Sequence, residues 1–506
     1  MDKKSGIYYY LTDNSLRAGG ASAFSGIVLM HTTKVPSGLV TVSATDYREK
    51  LGYDLEWNNN YAGLDLILSS VATVEVLSLN SNAKLAYQSW SPTGTPTPTE
   101  NHECATLGEV EANHLGYMWV SHKTAGNWGD RYVGFRKEVG AEYSLHYFSK
   151  IDSGFELLGS YTFSIDSGDS NFYKKVDFGE LAIGCSAPLA SGHLSQAIAG
   201  SVTFNSTNLH KLQLGSFGSV NTFDALSIKT RLSAIDHSLA NVVVLNGITF
   251  DTAIIASIIN YCSQQDRSVL IDALTVSNSD HILDAELLVS TWMNELIGIE
   301  GGEYAQVAAV PDQITSGGSV IVINPSVFLF QIYAKMYATY GNVNYPPAGP
   351  TYGTVTATKL MDSNFALHGD LLKTNRVNYT TKTSLGVCMW EYRTLYKFGN
   401  SDLSYASTPF ILRDLKSRLL DVMTPFSFRY SSPMDLLTIR SGLSTVLDSF
   451  VRNGFLVNYA LKVPTYEEAQ AAGRTLDIDI AVSVINSMDV INLRVNLRSA
   501  ADLRAV

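Results

Sequence analysis

Few residues in this chain of 506 are spaced for chemistry. Two acid–histidine neighbours occur, Asp236-His237 and Asp280-His281. General acid–base work needs side chains that meet at one reacting atom. Residues adjacent in sequence do not generally aim at one centre, and Asp280 suits the N-cap of the helix expected after it. Ser316-Gly317-Gly318-Ser319 has the composition of a phosphate cradle. It leads into the apolar run Val320–Ile323, a strand and not a helix N-terminus, so it reads as a turn. His102, His114, His122 and His146 lack regular metal-ligand spacing and read as surface or inter-strand residues. Cys104, Cys185, Cys262 and Cys388 are far apart, with no C-x-x-C pair, and read as reduced thiols. No P-loop, G-x-G-x-x-G, H-E-x-x-H or G-x-S-x-G is present. The reading is therefore no enzyme, with no catalytic, cofactor-binding or metal-ligating residue and no cofactor.

Composition narrows the classes further. Hydrophobic residues make up 45%, which excludes a disordered chain. Only 16% are charged, against about 25% in ordinary soluble domains. The net charge is −11 and the basic residues are not clustered, so direct nucleic-acid binding is not expected. No stretch approaches the ~18 apolar residues of a membrane span, so no stable membrane insertion is expected. Met1–Tyr10 lacks the apolar run of a secretory signal.

The elements that would position any site fall into five segments. Residues 1–20 read as an arm. Gly6, Ile7, Tyr8, Tyr9, Tyr10 and Leu11 favour extended structure, and a short apolar strand before Gly19-Gly20 needs a sheet edge elsewhere. Residues 21–90 read as the first part of an α/β core. Phe24–Met30 and Val71–Leu79 are strands, Ala44–Leu51 is a short helix stopped by Gly52, and Tyr61–Ser70 is helical. Ser91–Thr99, made of Ser, Pro, Thr and Gly, reads as a linker. It opens a segment to 225 of short aromatic-rich runs split by Gly, Asp, Ser or Asn, the pattern of an antiparallel sandwich. Its aromatics read as core in preference to a sugar-binding surface. From 226 to 384 strands and helices alternate, as in a mostly parallel sheet with helices on its faces. Asp251 can cap a helix with Ile254, Ile255, Ile258 and Ile259 along it, His281–Leu296 reads as a helix, and Ser326–Tyr340 as another.

Residues 385–506 carry the sharpest local signals. Phe410–Met423 reads as a helix. A second helix opens with Ser432 as cap, Pro433 at its first position and Asp435 in the capping-box position, and ends at Gly454. Phe455–Val463 is a strand. Two alternating strands follow, with Leu476, Ile478, Ile480, Val482 and Val484 on one and Ile491, Leu493, Val495 and Leu497 on the other. In a regular hairpin both sets share a face, which sets Asp477 and Asp479 against Arg494 and Arg498. A two-stranded unit is marginal alone and should recruit further strands.

The order of these pieces and several phrases resemble the tail sheath proteins of contractile-tailed bacteriophages. Gly6-Ile7-Tyr8 resembles the family's Pro-Gly-Val-Tyr opening, with Ser5 in place of the proline. Gly26, Pro36 and Thr45–Gly52 resemble the next segment, and Gly126-Asn127-Trp128-Gly129-Asp130 the entry to the insertion. Tyr345–Pro350 resembles the family's Pro-Pro-Ser-Gly loop. Trp390-Glu391-Tyr392-Arg393-Thr394 keeps the Trp, Arg and Thr of Trp-Gly-x-Arg-Thr but replaces its glycine.

The resemblance implies a mixed α+β and α/β multidomain fold: a β-sandwich insertion, a subtilisin-like α/β domain in fold only, and a C-terminal α+β domain with a terminal hairpin. It implies six-fold rings of this chain stacked helically, with the tail tube, baseplate and tail terminator proteins as partners. The place expected is a virion tail, made in a bacterial cytoplasm. Contraction would drive the tube through the host envelope. The arm and the C-terminal strands would exchange between subunits, and Arg413, Lys416 and Arg418 are the expected tube contact. The alternatives are the sheath of a capsid-less contractile injection particle and, from another class, a β-rich surface adhesin. A hydrolase on the α/β part lacks a nucleophile motif.

Overall fold

The computed structural model describes residues 24–485 except 37, 53–57, 81–82, 98–103, 124, 127–130, 152–153, 200–201, 214–222, 249–250, 274–291, 310–311, 317–318, 358, 361–371, 400, 427–431 and 473–475. The Gly6–Leu11 arm, residues 491–498, Asp280-His281 and His102 therefore lie outside the described residues. The chain divides into two compact units. Within the described residues one comprises 24–335 and 348–397, the other 336–347 and 398–485. Together they form a mixed α+β architecture with several sheets.

The larger unit is built on an eight-stranded sheet. Its order is Gly386–Met389, Asn378–Thr383, Ala305–Ala309, Ser268–Asp272, Val242–Leu245, Gly26–Met30, Thr73–Ser78 and Leu39–Ser43. The six central strands are parallel and one antiparallel strand closes each edge. Helices cover both faces, so inner strands such as VVVL at Val242–Leu245 are apolar throughout and buried on both sides. On one face Ile27, Leu29, Val243, Leu245, Val269 and Ile271 pack against Ile228 and Leu232 of helix Ala225–Leu232. The same face takes Ile254, Ile255, Ile258 and Ile259 of helix Thr252–Ser263. Asp251 caps that second helix, its carboxylate accepting from Ile254 N at 3.0 Å. On the other face helix Pro325–Tyr340 lays Phe330 over Gly26, where a Cβ would overlap the ring. Gly26 thus permits close helix–sheet approach.

Val320–Ile323, expected among the parallel strands, lies instead in strand Ser319–Ile323 of a separate antiparallel sheet. Its partner is Asp312–Ser316, so Ser316 and Ser319 face each other across a hairpin. That local return explains why glycines sit between two strands and no helix follows.

The sandwich lies within the same unit. One sheet runs Gly154–Ser164, Glu142–Ile151, Arg131–Lys137 and Ile198–Ala199, with His210–Lys211 also on Arg131–Lys137. The other runs Leu181–Cys185, Met118–His122, Tyr87–Trp90 and Pro96–Thr97. Trp90, Val120, Phe135, Tyr143, Tyr147 and Phe163 fill the space between them. Most of the aromatics in these runs are therefore core, whereas Tyr132 and Phe155 are half-buried. Ser91–Thr99 departs from the linker expectation, because Pro96–Thr97 returns on Ser89–Trp90 as the arm of a hairpin. Proline suits that place because the strand lies on the sheet edge.

In the smaller unit helix Ser407–Met423 packs against helix Pro433–Arg452, and a two-stranded ribbon, Leu456–Lys462 with Asp479–Val484, covers them. Ser432 Oγ accepts from Asp435 N at 3.1 Å, Pro433 opens the second helix, and Gly454 takes φ 73° just past its end. Ile411, Leu412, Leu415, Leu447, Phe450, Phe455, Leu456 and Val484 form the core.

Candidate assembly surfaces

The ribbon is the element of the smaller unit best placed to meet other chains. Tyr459, Leu461, Ile480 and Val482 join the helix-side core with Leu456 and Val484. Asn458, Ala460, Lys462, Asp479, Ala481 and Ser483 alternate to the opposite face and are exposed. The register slips between Leu456 and Asn458, which leaves Val457 as an extra residue, 58% exposed. Among the described residues no third strand pairs with either edge. Two strands alone are marginal, and an unpaired edge offers a row of main-chain donors and acceptors.

The structure gives the C-terminal candidates a partner that the alternating pattern did not reveal. Ile480, Val482 and Val484 lie opposite Leu461, Tyr459 and Leu456. Asp479 is exposed opposite Lys462, and Asp477 and Ile478 precede the strand. Strand Phe455–Val463 was legible, but its pairing was not. Its core-facing residues are spaced three and then two apart, at Leu456, Tyr459 and Leu461, and that break in alternation is the trace of the bulge. Ile491, Leu493, Arg494, Val495, Leu497 and Arg498 lie outside the described residues.

The three basic candidates on helix Ser407–Met423 do not share a face. At about 100° per residue, Arg413 and Lys416 are about 60° apart, whereas Arg418 is about 140–160° from both. Arg413 stacks its guanidinium 4.6 Å from the Phe410 ring centre. Arg418 instead pairs with Asp414 at 2.9 Å and lies 5.5 Å from the Phe450 ring.

The residues that looked like acid–base chemistry are structural where described. Asp236 accepts from Tyr261 Oη and, at 2.8 Å, from Gln265 Nε2. His114 is buried, with Nδ1 3.0 Å from the Val110 carbonyl. His122 is also buried, 3.3 Å from Glu180. Buried beside the short helix Leu107–Asn113, His114 departs from the surface or inter-strand expectation, whereas His122 fits it, at the end of strand Met118–His122 opposite Leu181. His146 lies between Ser144 and the Phe204 ring. All four cysteines are buried thiols that form no disulfide.

The carboxyl ends of parallel strands are where open α/β sheets usually hold ligands. Here side-chain amides occupy that edge. Asn324 Nδ2 donates to Asn246 Oδ1 at 2.8 Å and to Asn60 Oδ1 at 3.2 Å, and Asn246 Nδ2 donates to the Asn60 carbonyl at 2.7 Å. Asp272, at the end of its strand, accepts from Ser326 N at 2.7 Å and Gly247 N at 3.0 Å. Burial pushes its carboxyl up to about 6, although both backbone bonds favour the charged form. The network closes the edge on itself. Among the described residues no helix is long and apolar enough to cross a membrane.

The fold is similar to that of solved sheath tail proteins. The chain superposes on a sheath tail protein from Desulfitobacterium hafniense with a TM-score of 0.54 at 14% identity, covering 91% of this chain and 93% of that one. A sheath tail protein from Listeria innocua gives 0.53 at 11% identity, over 93% and 94%. The helical sheath of the anti-feeding prophage in its contracted state gives 0.51 at 10% identity, over 98% and 100%. No protein-family model and no curated protein matches the sequence. The chain has the sheath tail protein fold over nearly its whole length.

Proposed function

We propose that this chain is the structural subunit of a contractile sheath, polymerising as six-fold helical rings around a tail tube and contracting to drive that tube through a host envelope. The observation that carries this reading is fold similarity over 98% of the chain to a helical sheath in its contracted state, beside two sheath tail proteins. On this reading the larger unit is the subtilisin-like α/β domain with its sandwich insertion, the smaller unit is the C-terminal domain, and the subunit is not an enzyme. Its partners are further copies of itself, the tube, and the baseplate and terminator proteins at the two ends of the tail. The place is the tail of a virion or particle.

The ribbon supplies the joint. An arm strand from another subunit can add main-chain hydrogen bonds along either edge of Leu456–Lys462 and Asp479–Val484. Gly6–Leu11 and Ile491–Arg498 are the segments proposed to do so. Contraction draws on the difference in interface free energy between two packings of the same subunits. Release of the tube calls for a modest, partly polar contact, proposed here at Arg413 and Lys416, with Arg418 turned away.

Negative-stain microscopy of the purified full chain tests the reading. Tubes or rings are expected, and deletion of residues 1–15 should leave a folded monomer that does not polymerise. A full chain that stays monomeric under every assembly condition, or a truncated chain that assembles as well, refutes it. A capsid-less injection particle is the second reading, favoured by the match to the anti-feeding prophage sheath. Neighbouring capsid and terminase genes would exclude it.

A further inference from the structure

A small ion-paired cluster sits where the sandwich meets the α/β layer. After the central strand Gly26–Met30 the chain runs out to Lys34–Val35, which pairs with Ala125–Gly126 in the connection between two sandwich strands. Val35 enters an apolar cluster with Leu85, Tyr87, Cys104, Val110 and Trp119. Lys34 Nζ then reaches Glu180 Oε1 at 2.7 Å, across 146 residues of sequence. The other oxygen of the same carboxylate lies 3.3 Å from His122 Nε2.

Glu180 is well placed to act as a fixed post. It directly precedes strand Leu181–Cys185, and Leu181 pairs with His122 at the end of strand Met118–His122. Its own carbonyl accepts from Lys123 N at 2.8 Å. The Lys34 side chain is 13% exposed and that of His122 only 2%, while the Glu180 side chain they meet is 40% exposed, so water reaches the carboxylate from one side only. The His122 and Lys34 bonds together pull the Glu180 carboxyl down to about 2, and the His122 bond is the larger cause. Burial outweighs the carboxylate at His122 and lowers its imidazole, with Lys34 and Arg131 adding to that lowering. The Tyr147 ring packs edge-on against it at 6.3 Å.

We infer that Glu180 is a latch that fixes the sandwich in one orientation on the α/β layer, by holding Lys34, from the segment that leaves the layer, on a carboxylate that His122 steadies within the sandwich. The β-pairing beside it is only two residues long. Such a short ribbon sets a hinge axis without fixing the angle about it. The Lys34–Glu180 contact crosses between the two parts and fixes the angle, while the His122 contact lies within the sandwich and holds the carboxylate in place. The inference is independent of the sheath reading, because it concerns a single chain.

The test uses the full chain with Glu180→Gln, which keeps size and loses charge. All four native cysteines are buried, so spin labels at Lys229→Cys on the layer and Ser160→Cys on the sandwich react selectively. The expected result is a broadened label–label distance distribution, with hydrogen exchange at residues 33–36 and 118–126 at least tenfold faster. The His122 titration, followed by NMR, should move down because the carboxylate that raises it has gone. Lys34→Met gives a second route to the same broadening if the glutamine variant folds poorly. Distances and exchange unchanged from the parent in both single variants would overturn the latch.

Discussion

Leu447→Ala tests whether the helix-side core holds the ribbon in place. Leu447 is fully buried in the middle of helix Pro433–Arg452, in one cluster with Ile411, Leu415, Phe450, Phe455 and Leu456. The substitution removes three buried carbons at about 0.8 kcal/mol each. A cavity term of roughly 1 kcal/mol adds to this, because helices packed on two sides relax only partly. The expected loss is about 3–4 kcal/mol, within the range measured for buried leucines. At about 2–4 °C per kcal/mol for a unit approaching 150 residues, the transition of this unit should fall by roughly 6–16 °C. Leu437, on the same helix and 61% exposed, is the control, and its alanine variant should shift the transition by less than 2 °C on the same scale.

The chain contains its own discriminating probe. Its six tryptophans, at 57, 90, 119, 128, 292 and 390, all fall in the larger unit. Calorimetry should show one transition falling in Leu447→Ala while the tryptophan-fluorescence melt stays in place. The variant should also fail to form tubes at temperatures where the parent does. A calorimetric shift no larger than that of Leu437→Ala would refute the assigned core, and with it the placement of the ribbon on these helices.

Three further outcomes follow from named contacts. Arg413→Glu with Lys416→Glu should reduce tube-templated assembly severalfold, whereas Arg418→Glu should not. Co-sedimentation with tube protein reads this, and equal effects of all three would remove the proposed contact. Asp272 has its folded pKa raised to about 6 by burial, above the ordinary carboxylate value of 3.8. Ionisation therefore costs folding free energy, absent below about pH 3.8 and fully present above about pH 6. Relative to Asp272→Asn, the parent should gain about 3 kcal/mol as pH falls through that window, measured by denaturant unfolding. A pH-independent difference would refute the buried-carboxylate account. Gly26→Ala would drive a Cβ into the Phe330 ring, and overpacking of this kind costs about 1–3 kcal/mol. Calorimetry reads that loss, and an unchanged melt would show that the helix moves away freely.

What could be read from the sequence was what short-range bonding dictates. Ser432, Pro433 and Gly454 bound their helix by contacts spanning at most four residues, and Asp251 caps its helix the same way. The four apolar side chains of Val242–Leu245 suit a strand buried on both faces. The order of such pieces sufficed to suggest the sheath fold. Pairing was a different matter, since the free energy of a strand pair depends on residues far away along the chain. Pro96–Thr97 looks like linker by composition, yet a sheet edge gives it a partner at Ser89–Trp90. Asp479–Val484 alternates in either of two pairings, and the bulge at Val457 belongs to the one observed.

The same division holds for the surfaces. Arg413, Lys416 and Arg418 look like one cluster in sequence, but helix rotation and the Asp414 pair separate them. Lys34, His122 and Glu180 carry no motif, because nothing local links residues so far apart in the chain. Local propensity and capping were written in the residues themselves. Which edge a strand joins, which histidine is buried, and which carboxylate meets which lysine were decided only when distant segments packed and excluded water between them.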